Sequence, residues 1–278
     1  MEIEITLIIL AAAFLHALWN SLIKGGKDPL LDGMIISVVW LAICIIAIPF
    51  LPIPNPKSWL FAIATIPIHV AYFFLLAKSY EVGDLSRVYP IVRGVPPLIV
   101  AIVSYIAIDE NLGFYGWLGV ILISFGILTL EFGTKQPSSK AFILSILTAI
   151  MIAAYTIIDA LGARLSGHST SFLLWFSLFQ SIIFIIIVSC IKGVKICKLH
   201  IKRHWKRGIA GGIISIISYS IILWAMTKAP IANVSALRET SVLFALIISI
   251  FFLSEKLKKS AIFSIIFILT GIIAIKLS

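Results

Sequence analysis

Two segments, VYPIVRGVPPL (residues 88–98) and NVSALRETSVL (residues 233–243), each place an arginine inside a long apolar stretch. Aligning Arg93 with Arg238 sets one offset between the two segments. At that same offset two further pairs align, Glu110 with Glu255 and Gly126 with Gly271. Three anchors at one offset indicate an internal duplication in which each half carries one apolar-embedded arginine.

The composition is that of a membrane protein. Apolar residues make up 61% of the chain and charged residues only 12%, and the mean hydropathy is +1.14. These values exclude an ordinary water-soluble domain, and apolar runs near bilayer-crossing length recur from end to end. We predict an all-α membrane protein with ten transmembrane helices, at residues 3–23, 30–51, 58–77, 85–107, 112–132, 141–162, 170–191, 208–227, 230–253 and 257–276.

Little of the chain lies outside these spans. The longest polar run, residues 192–207, is too short for a soluble catalytic or sensory domain. Glu2 and Glu4 stand where a signal peptide would be basic, so we expect the first span to be retained. The cysteines lack the spacing of metal ligands or of a disulfide framework and are predicted to pack. They are Cys44, Cys190 and Cys197.

The net charge of +10 follows from membrane orientation rather than from a nucleic-acid partner. Apart from the two embedded arginines, most basic residues lie in the connections that lead from an odd span to an even one. Those on the other side are Lys57, Arg164, Lys228 and Lys276. Because basic loops stay cytoplasmic, this bias favours both termini outside.

Each predicted half holds five spans, an odd number, so the second half is inverted relative to the first. The halves are predicted at residues 1–135 and 136–278. Arg93 and Arg238 each lie about eight residues into their spans, or about 12 Å deep at 1.5 Å per residue. In a hydrocarbon core about 30 Å thick their depths differ by only about 6 Å. We therefore expect both guanidinium groups to reach one midplane cavity.

The two five-helix halves, the glutamates in connections 4–5 and 9–10, and the glycine near the end of each following helix resemble the EamA branch of the drug/metabolite transporter superfamily. The resemblance covers nearly the whole chain and implies that helices 1, 3, 4, 6, 8 and 9 line a central cavity while helices 5 and 10 lie outside it. The segments HALWNSL, YPIVRG and LRETS resemble a bacterial subgroup, some of whose members occur beside phosphonate-utilisation genes. This implies an anionic or zwitterionic solute.

The fourth predicted helix carries Arg93 with Tyr89 four residues earlier, on the same face. We expect substrate contact from both, with structural pairing to an acid as the alternative for the arginine. Pro90, Gly94, Pro96 and Pro97 predict an interrupted backbone, and such breaks at membrane depth line cavities.

Helices 1 and 3 supply further candidates for the cavity wall. His16, Trp19 and Asn20 share one face of helix 1, where interhelical hydrogen bonding, or an interfacial position for the tryptophan, is the alternative. On helix 3, His69 and Tyr72 follow Pro67, whose missing N–H is expected to bend the helix. His69 is either a proton carrier or a hydrogen-bonded structural residue.

The second half carries the acidic candidates. On helix 6, Asp159 with Tyr155 is a candidate for substrate or proton binding, and a solvated carboxylate near the span's end is the alternative. On helix 9, Arg238 and Glu239 are adjacent, so they are not expected to point the same way, and pairing with Arg93 or Asp159 is expected. Glu239 is the first choice for proton coupling and Asp159 the second, with structural ion pairing as the alternative.

Three residues of helix 8 are predicted to line the cavity or to pack, namely Tyr219, Trp224 and Ser215. Glu110 and Glu255 precede helices 5 and 10, where a carboxylate is favoured by the N-terminal N–H groups. We interpret both as fold elements.

The predicted function is a secondary transporter that moves a small anionic or zwitterionic organic solute, such as an amino acid or a phosphorylated or phosphonate metabolite, by alternating access. A flippase of the same fold and, less favoured, a membrane enzyme are the alternatives, although no metalloprotease or Ser/His motif is present. We expect no enzymatic activity, no cofactor and no metal. The expected partners are a small-molecule substrate, membrane lipid and protons, in a monomer or homodimer of the bacterial inner membrane.

Overall fold

The computed structural model describes residues 1–23, 28–131, 138–253 and 259–278. Within these ranges the longer elements are all α-helices, joined by short connections and single 3₁₀ turns. In chain order they are α1 (Ile3–Ile23), α2 (Pro29–Ala47), α3 (Trp59–Val82), α4 (Leu85–Ala107), α5 (Gly113–Leu128), α6 (Ser139–Ser166), α7 (Ser169–Lys192), α8 (Val194–Met226), α9 (Ile231–Glu239), α10 (Ser241–Leu253) and α11 (Lys259–Leu277). Glu255 lies outside the described residues.

These helices correspond to the ten predicted spans. Across the described residues, nine helical segments are long and apolar enough to cross a membrane. The tenth, α5, has 16 residues and continues into a 3₁₀ turn at Thr129–Glu131. Helices α9 and α10 together form the ninth span. The chain is thus a multi-pass membrane protein, as the composition predicts.

The helix break is in the other half from the one predicted. Helix α4 runs unbroken past Pro90, Pro96 and Pro97, whereas the ninth span, which holds no internal proline, divides at Thr240. Each proline removes only one N–H, and packing neighbours hold the helix together at membrane depth. Three carbonyls of α4, four residues before each proline, lose their helical donors. One of them belongs to Arg93.

Residues 194–207 of the basic run are helical rather than a loop, which corrects the predicted start of the eighth span. Helix α8 begins at Val194. Two ion pairs hold this extension against the start of α2: Lys192 of α7 pairs with Asp28, and Nε2 of His200 lies 2.9 Å from Oδ1 of Asp32. Acids at the first turn of α2 also suit the positive end of that helix.

The packing of the helices repeats when the two halves are exchanged. Helix α3 packs against α6 in the same way that α8 packs against α1, and α5 packs against α11. Helices α4 and α9, which carry the two arginines, contact each other directly. The two helices are therefore neighbours in the bundle, and the midplane cavity shared by the two arginines stays a prediction. Helices α5 and α11 pair with each other at the end of each half.

The α5–α11 contact depends on small residues. A Cβ at Gly119 would lie 2.4 Å from Cγ1 of Ile275 and 2.8 Å from the carbonyl oxygen of Gly271, and a Cβ at Gly126 would lie 3.1 Å from the carbonyl oxygen of Ser264. The offset that pairs Gly126 with Gly271 also pairs Gly119 with Ser264, so one contact is the image of the other. Close backbone approach of this kind is how membrane helices pack.

We expect Gly119→Ala to destabilise the protein by about 1–3 kcal/mol, because the added methyl group must push α11 away. Gly33→Ala on α2 is the matched control, since its Cβ would meet nothing closer than 3.4 Å. Thermal unfolding of the purified protein in detergent compares the two. Equal melting temperatures for both variants would show that the α5–α11 spacing is not limiting.

Glu110 links the halves at one face of the bundle. Its Oε2 accepts the backbone N–H of Ile231, the first residue of α9, at 2.9 Å, and its Oε1 lies 2.6 Å from Nη2 of Arg164. Arg164 in turn donates to the carbonyl oxygens of Met226 and Ala229. Glu110 is a fold element, but the helix N-terminus that it satisfies is that of α9 rather than that of α5.

Candidate functional site

Two arginines from opposite halves meet on one carboxylate. Nη1 of Arg93 lies 3.4 Å from Oε2 of Glu239, and Nε of Arg238 donates to Oε1 of the same carboxylate at 3.0 Å. Arg93 is 7% exposed, Arg238 is 2% exposed and Glu239 is 0% exposed. We call this group the arginine centre. It carries a net charge of +1, because Glu239 neutralises one of the two guanidinium groups.

The break in the ninth span positions this centre. Helix α9 has 9 residues and ends in a tight turn, in which the N–H and the hydroxyl of Thr240 both bond the carbonyl oxygen of Leu237. Arg238 and Glu239 form the last residues of this short helix. A cation there is favoured by the negative end of the helix dipole. Discontinuous helices place backbone ends and charges at mid-membrane in the same way in many transporters.

The adjacent pair departs from the expected arrangement. Neighbouring residues on a helix are about 100° apart, and on that ground Arg238 and Glu239 were not expected to point the same way. Their side chains nevertheless contact each other while Glu239 also reaches across to Arg93 on α4. Both side chains are long enough to bend together, and two buried charges gain by pairing. The expected pairing of Glu239 with Arg93 is present.

Several polar atoms around the centre have no hydrogen-bond partner among the described residues. They are Nε of Arg93, Nη2 of Arg238 and Nε2 of His16. Nη2 of Arg238 lies 2.9 Å from Oε1 of Glu239 but without the angles of a hydrogen bond. Buried polar groups are normally paired, which makes these atoms candidates for contact with a ligand.

Aromatic rings surround the arginine centre. The guanidinium carbon of Arg93 lies 5.7 Å from the ring centre of Tyr89, a cation–π distance. Tyr72 meets Tyr155 edge to face at 5.5 Å. Both tyrosines lie within electrostatic range of Arg93 and Arg238. The tyrosines predicted on helices 3, 4 and 6 are therefore brought together.

The residues of α1 divide into two groups. His16 is half-buried and lies within electrostatic range of Arg93 and Arg238, with Trp19 edge-on to its ring at 5.3 Å. Asn20 instead donates to the carbonyl oxygen of His16 in its own helix at 2.8 Å. His16 is thus placed near the arginine centre, whereas the amide of Asn20 bonds the backbone of its own helix.

A second buried carboxylate lies between α3, α6 and α8. Asp159 is 0% exposed and accepts hydrogen bonds from the hydroxyl of Thr65 at 2.5 Å and from the phenol of Tyr219 at 2.5 Å. Nε2 of His69 lies 2.9 Å from Oδ2 of Asp159. The alternative of a solvated carboxylate at the end of a span is therefore wrong, because three side chains replace the water. We call this group the aspartate centre.

Stacking orients the histidine of the aspartate centre. The ring of His69 is 4.2 Å from that of Tyr155 at 21° and 5.6 Å from that of Phe176 on α7. On the opposite side, Trp40 of α2 stacks on Tyr219 at 6.5 Å. The Nε1 of Trp40 donates to the hydroxyl of Ser215. Five helices therefore hold the aspartate centre in place.

Thr65 is the member of this centre that reasoning from sequence alone missed. It lies four residues before His69, which is itself three before Tyr72, so the three residues follow one face of α3. That spacing is the signal that identifies it. Threonine in a membrane helix otherwise bonds its own backbone as often as a partner, which hides such a role.

Comparison with known proteins places the chain in a family. The model of the EamA-like transporter family matches residues 4–132 and again residues 139–277. A crystal structure of another protein superposes with a TM-score of 0.73 at 14% sequence identity, covering 99% of this chain and 96% of that one, and it shares the fold. A search of curated proteins finds no significant match. Two matches that together span nearly the whole chain make this a duplicated protein that belongs to the EamA-like transporter family.

Proposed function

We propose that this transporter carries a small organic acid or zwitterion, and that Arg93 and Arg238 together bind its acidic group. The observation that supports this is the convergence of two arginines, one from each half, on a single carboxylate. Arginine presents a planar fork of donors that matches a carboxylate or a phosphonate. A site built from both halves also changes shape as the halves move, which alternating access requires.

In the absence of substrate, Glu239 occupies the place of the substrate acid. It neutralises the two buried guanidinium groups, which would otherwise be costly to keep in a membrane. The unpartnered N–H groups of Arg93 and Arg238 point to a second anion that binds beside Glu239 or displaces it. An amine on the substrate would then bind the freed carboxylate, so an amino acid or an aminophosphonate fits this centre.

The tyrosines give the site its shape. Tyr89, Tyr72 and Tyr155 present ring faces and hydroxyl groups next to the charges, and such amphipathic rings pack a short carbon skeleton while bonding its polar ends. His16, Trp19 and Asn20 form the α1 side of the proposed site. Transport in the bacterial inner membrane with protons as the coupling ion completes the proposal.

A thermal-shift screen tests the substrate class. The purified protein is heated in the presence of amino acids, phosphorylated metabolites, alkyl- and aminophosphonates, and quaternary amines that lack an acidic group. At a concentration 100-fold above its Kd, a ligand stabilises the folded state by about 2.7 kcal/mol. We expect carboxylates or phosphonates to raise the melting temperature. Stabilisation by quaternary amines alone would contradict the proposal.

A further inference from the structure

We propose that the aspartate centre is the proton-binding site of this transporter, and that the His69–Asp159 pair gains one proton as an organic anion binds at the arginine centre. The inference rests on the proposed function of the two arginines. It assigns the proton to a site on α3, α6 and α8, separate from the α4 and α9 residues that bind the acid.

The geometry equips this pair to hold a proton. His69 and Asp159 are 2.9 Å apart with their atoms in line for a hydrogen bond, and imidazole is the side chain that titrates near neutral pH. With His69 neutral the pair carries −1, and with His69 protonated it carries zero. In so close a pair the proton belongs to both residues. The hydroxyls of Thr65 and Tyr219 keep the carboxylate solvated in either state.

The charges of the two centres balance without substrate. The arginine centre carries +1, and the aspartate centre with neutral His69 carries −1, so the buried total is zero. A substrate monoanion makes the total −1, and an uncompensated buried charge costs several kcal/mol. One proton on the pair restores zero. A net-neutral zwitterion leaves the balance unchanged and requires no proton.

Asp159 suits this role better than Glu239. Glu239 lies directly against two permanently charged guanidinium groups, and a proton on it would leave both of them without a counter-charge. Among the described residues, the hydrogen-bond partners of Asp159 are a hydroxyl, a phenol and an imidazole, and none of these carries a fixed charge. The proton is therefore more easily accepted beside Asp159.

Two tyrosines lie next to both the arginine centre and the aspartate centre, which places the charges of the two centres close to each other. Tyr155 and Tyr219 lie within electrostatic range of Arg238, while Tyr219 bonds Asp159 and Tyr155 stacks on His69. Helix α7 contributes the uncharged Phe176. Among the described residues, the titratable groups that contact the pair are Tyr155 on α6 and Tyr219 on α8. Tyr155 meets Tyr72 on α3 and lies within electrostatic range of Arg93, Arg238 and Glu239. His16 on α1 and Tyr89 on α4 lie within electrostatic range of Arg93.

Nuclear magnetic resonance of ¹⁵N-histidine-labelled protein in nanodiscs tests this without any substrate. The His69 signal is assigned by its loss in His69→Gln and followed against pH. We expect the signal to report the gain of a proton by the pair. Arg238→Gln removes a positive charge, as a bound anion does in effect, and is expected to raise the midpoint by about one pH unit. Glu239→Gln is expected to lower it.

Two further variants act as controls. Arg238→Lys keeps the charge and is expected to leave the midpoint in place, while Tyr219→Phe removes one donor to the Asp159 carboxylate and is expected to raise it. The Tyr219 variant changes only one hydroxyl and so reports even if the charge variants fold poorly. A His69 signal that does not titrate between pH 4 and 9, or midpoints that ignore the charge changes, would overturn the inference. If no acid bound in the thermal screen, the proposed function would be contradicted. A His69 signal that responds to the charge variants would still support the His69–Asp159 pair as a proton-binding site.

Discussion

Arg238→Lys and Arg93→Lys are each expected to reduce acid binding and transport by about 10- to 100-fold, although both keep the positive charge. Hydrogen bonds to charged groups contribute about 1.5–3 kcal/mol, and a lysine ammonium replaces a planar fork by a single point. Nε of Arg238 donates to Glu239 while its Nη2 has no hydrogen-bond partner among the described residues, and a lysine cannot present two such donors in one plane. The ligand-dependent melting shift and uptake into proteoliposomes measure the loss.

Arg203→Lys is the matched control for these variants, because Arg203 is exposed on the basic extension of α8. It is expected to bind and transport as the wild type does. Expression and size-exclusion profiles establish that all three variants are folded. Wild-type binding in both Arg93→Lys and Arg238→Lys would remove the two arginines from the substrate site.

Glu239→Gln is expected to destabilise the substrate-free protein by about 3–5 kcal/mol, the usual effect of removing one partner from a buried ion pair. Two guanidinium groups that are 7% and 2% exposed would be left facing each other without a counter-charge. A bound acid should recover part of the loss, because it replaces the missing carboxylate. Thermal unfolding with and without a stabilising acid from the screen measures both effects.

Glu81→Gln is the control for this change, since Glu81 is exposed near the end of α3 and surface substitutions usually stay within about 0.5 kcal/mol. If Glu239→Gln melted at the wild-type temperature, Glu239 would not be the counter-charge of the two arginines.

Glu239→Gln, compared with Asp159→Asn, also shows which of the two candidate carboxylates carries the proton. From the sequence, Glu239→Gln is predicted to lose pH-dependent uphill transport while retaining exchange. The geometry of the aspartate centre transfers that expectation to Asp159→Asn. Proton-driven uptake and counterflow exchange, measured in proteoliposomes for both variants, assign the coupling to one carboxylate or the other.

Much of the architecture was predictable from local pattern. Hydropathy identifies the spans, because each must satisfy its own backbone within lipid. The offset between Arg93 and Arg238 identifies the duplication. It also agrees with the contact between α4 and α9, since similar depths from opposite faces bring the two arginines to within about 6 Å of one level. Gly126 and Gly271, noted only as aligned, mark the contact between α5 and α11.

Other features resist such reasoning because they depend on partners distant in sequence. The prolines of α4 favour a break in the helix that packing prevents. The break that is present, at Thr240, lies in a stretch without a proline that could have predicted it. Glu110 satisfies a helix N-terminus that lies far along the chain. The sequence predicts that a carboxylate such as Glu110 binds the N–H groups of a helix N-terminus, but it does not show which helix provides them.

The sequence by itself determined that this chain crosses the membrane many times, that it is duplicated, and that two arginines lie at membrane depth. Hydrophobic length, an odd number of spans and a shared offset are properties of the chain that no packing can change. Only the tertiary structure decided that both arginines close on Glu239 and that Thr65, His69 and Tyr219 converge on Asp159. Those contacts join five helices from both halves, and a buried charge takes whichever partners the packing brings within hydrogen-bond distance.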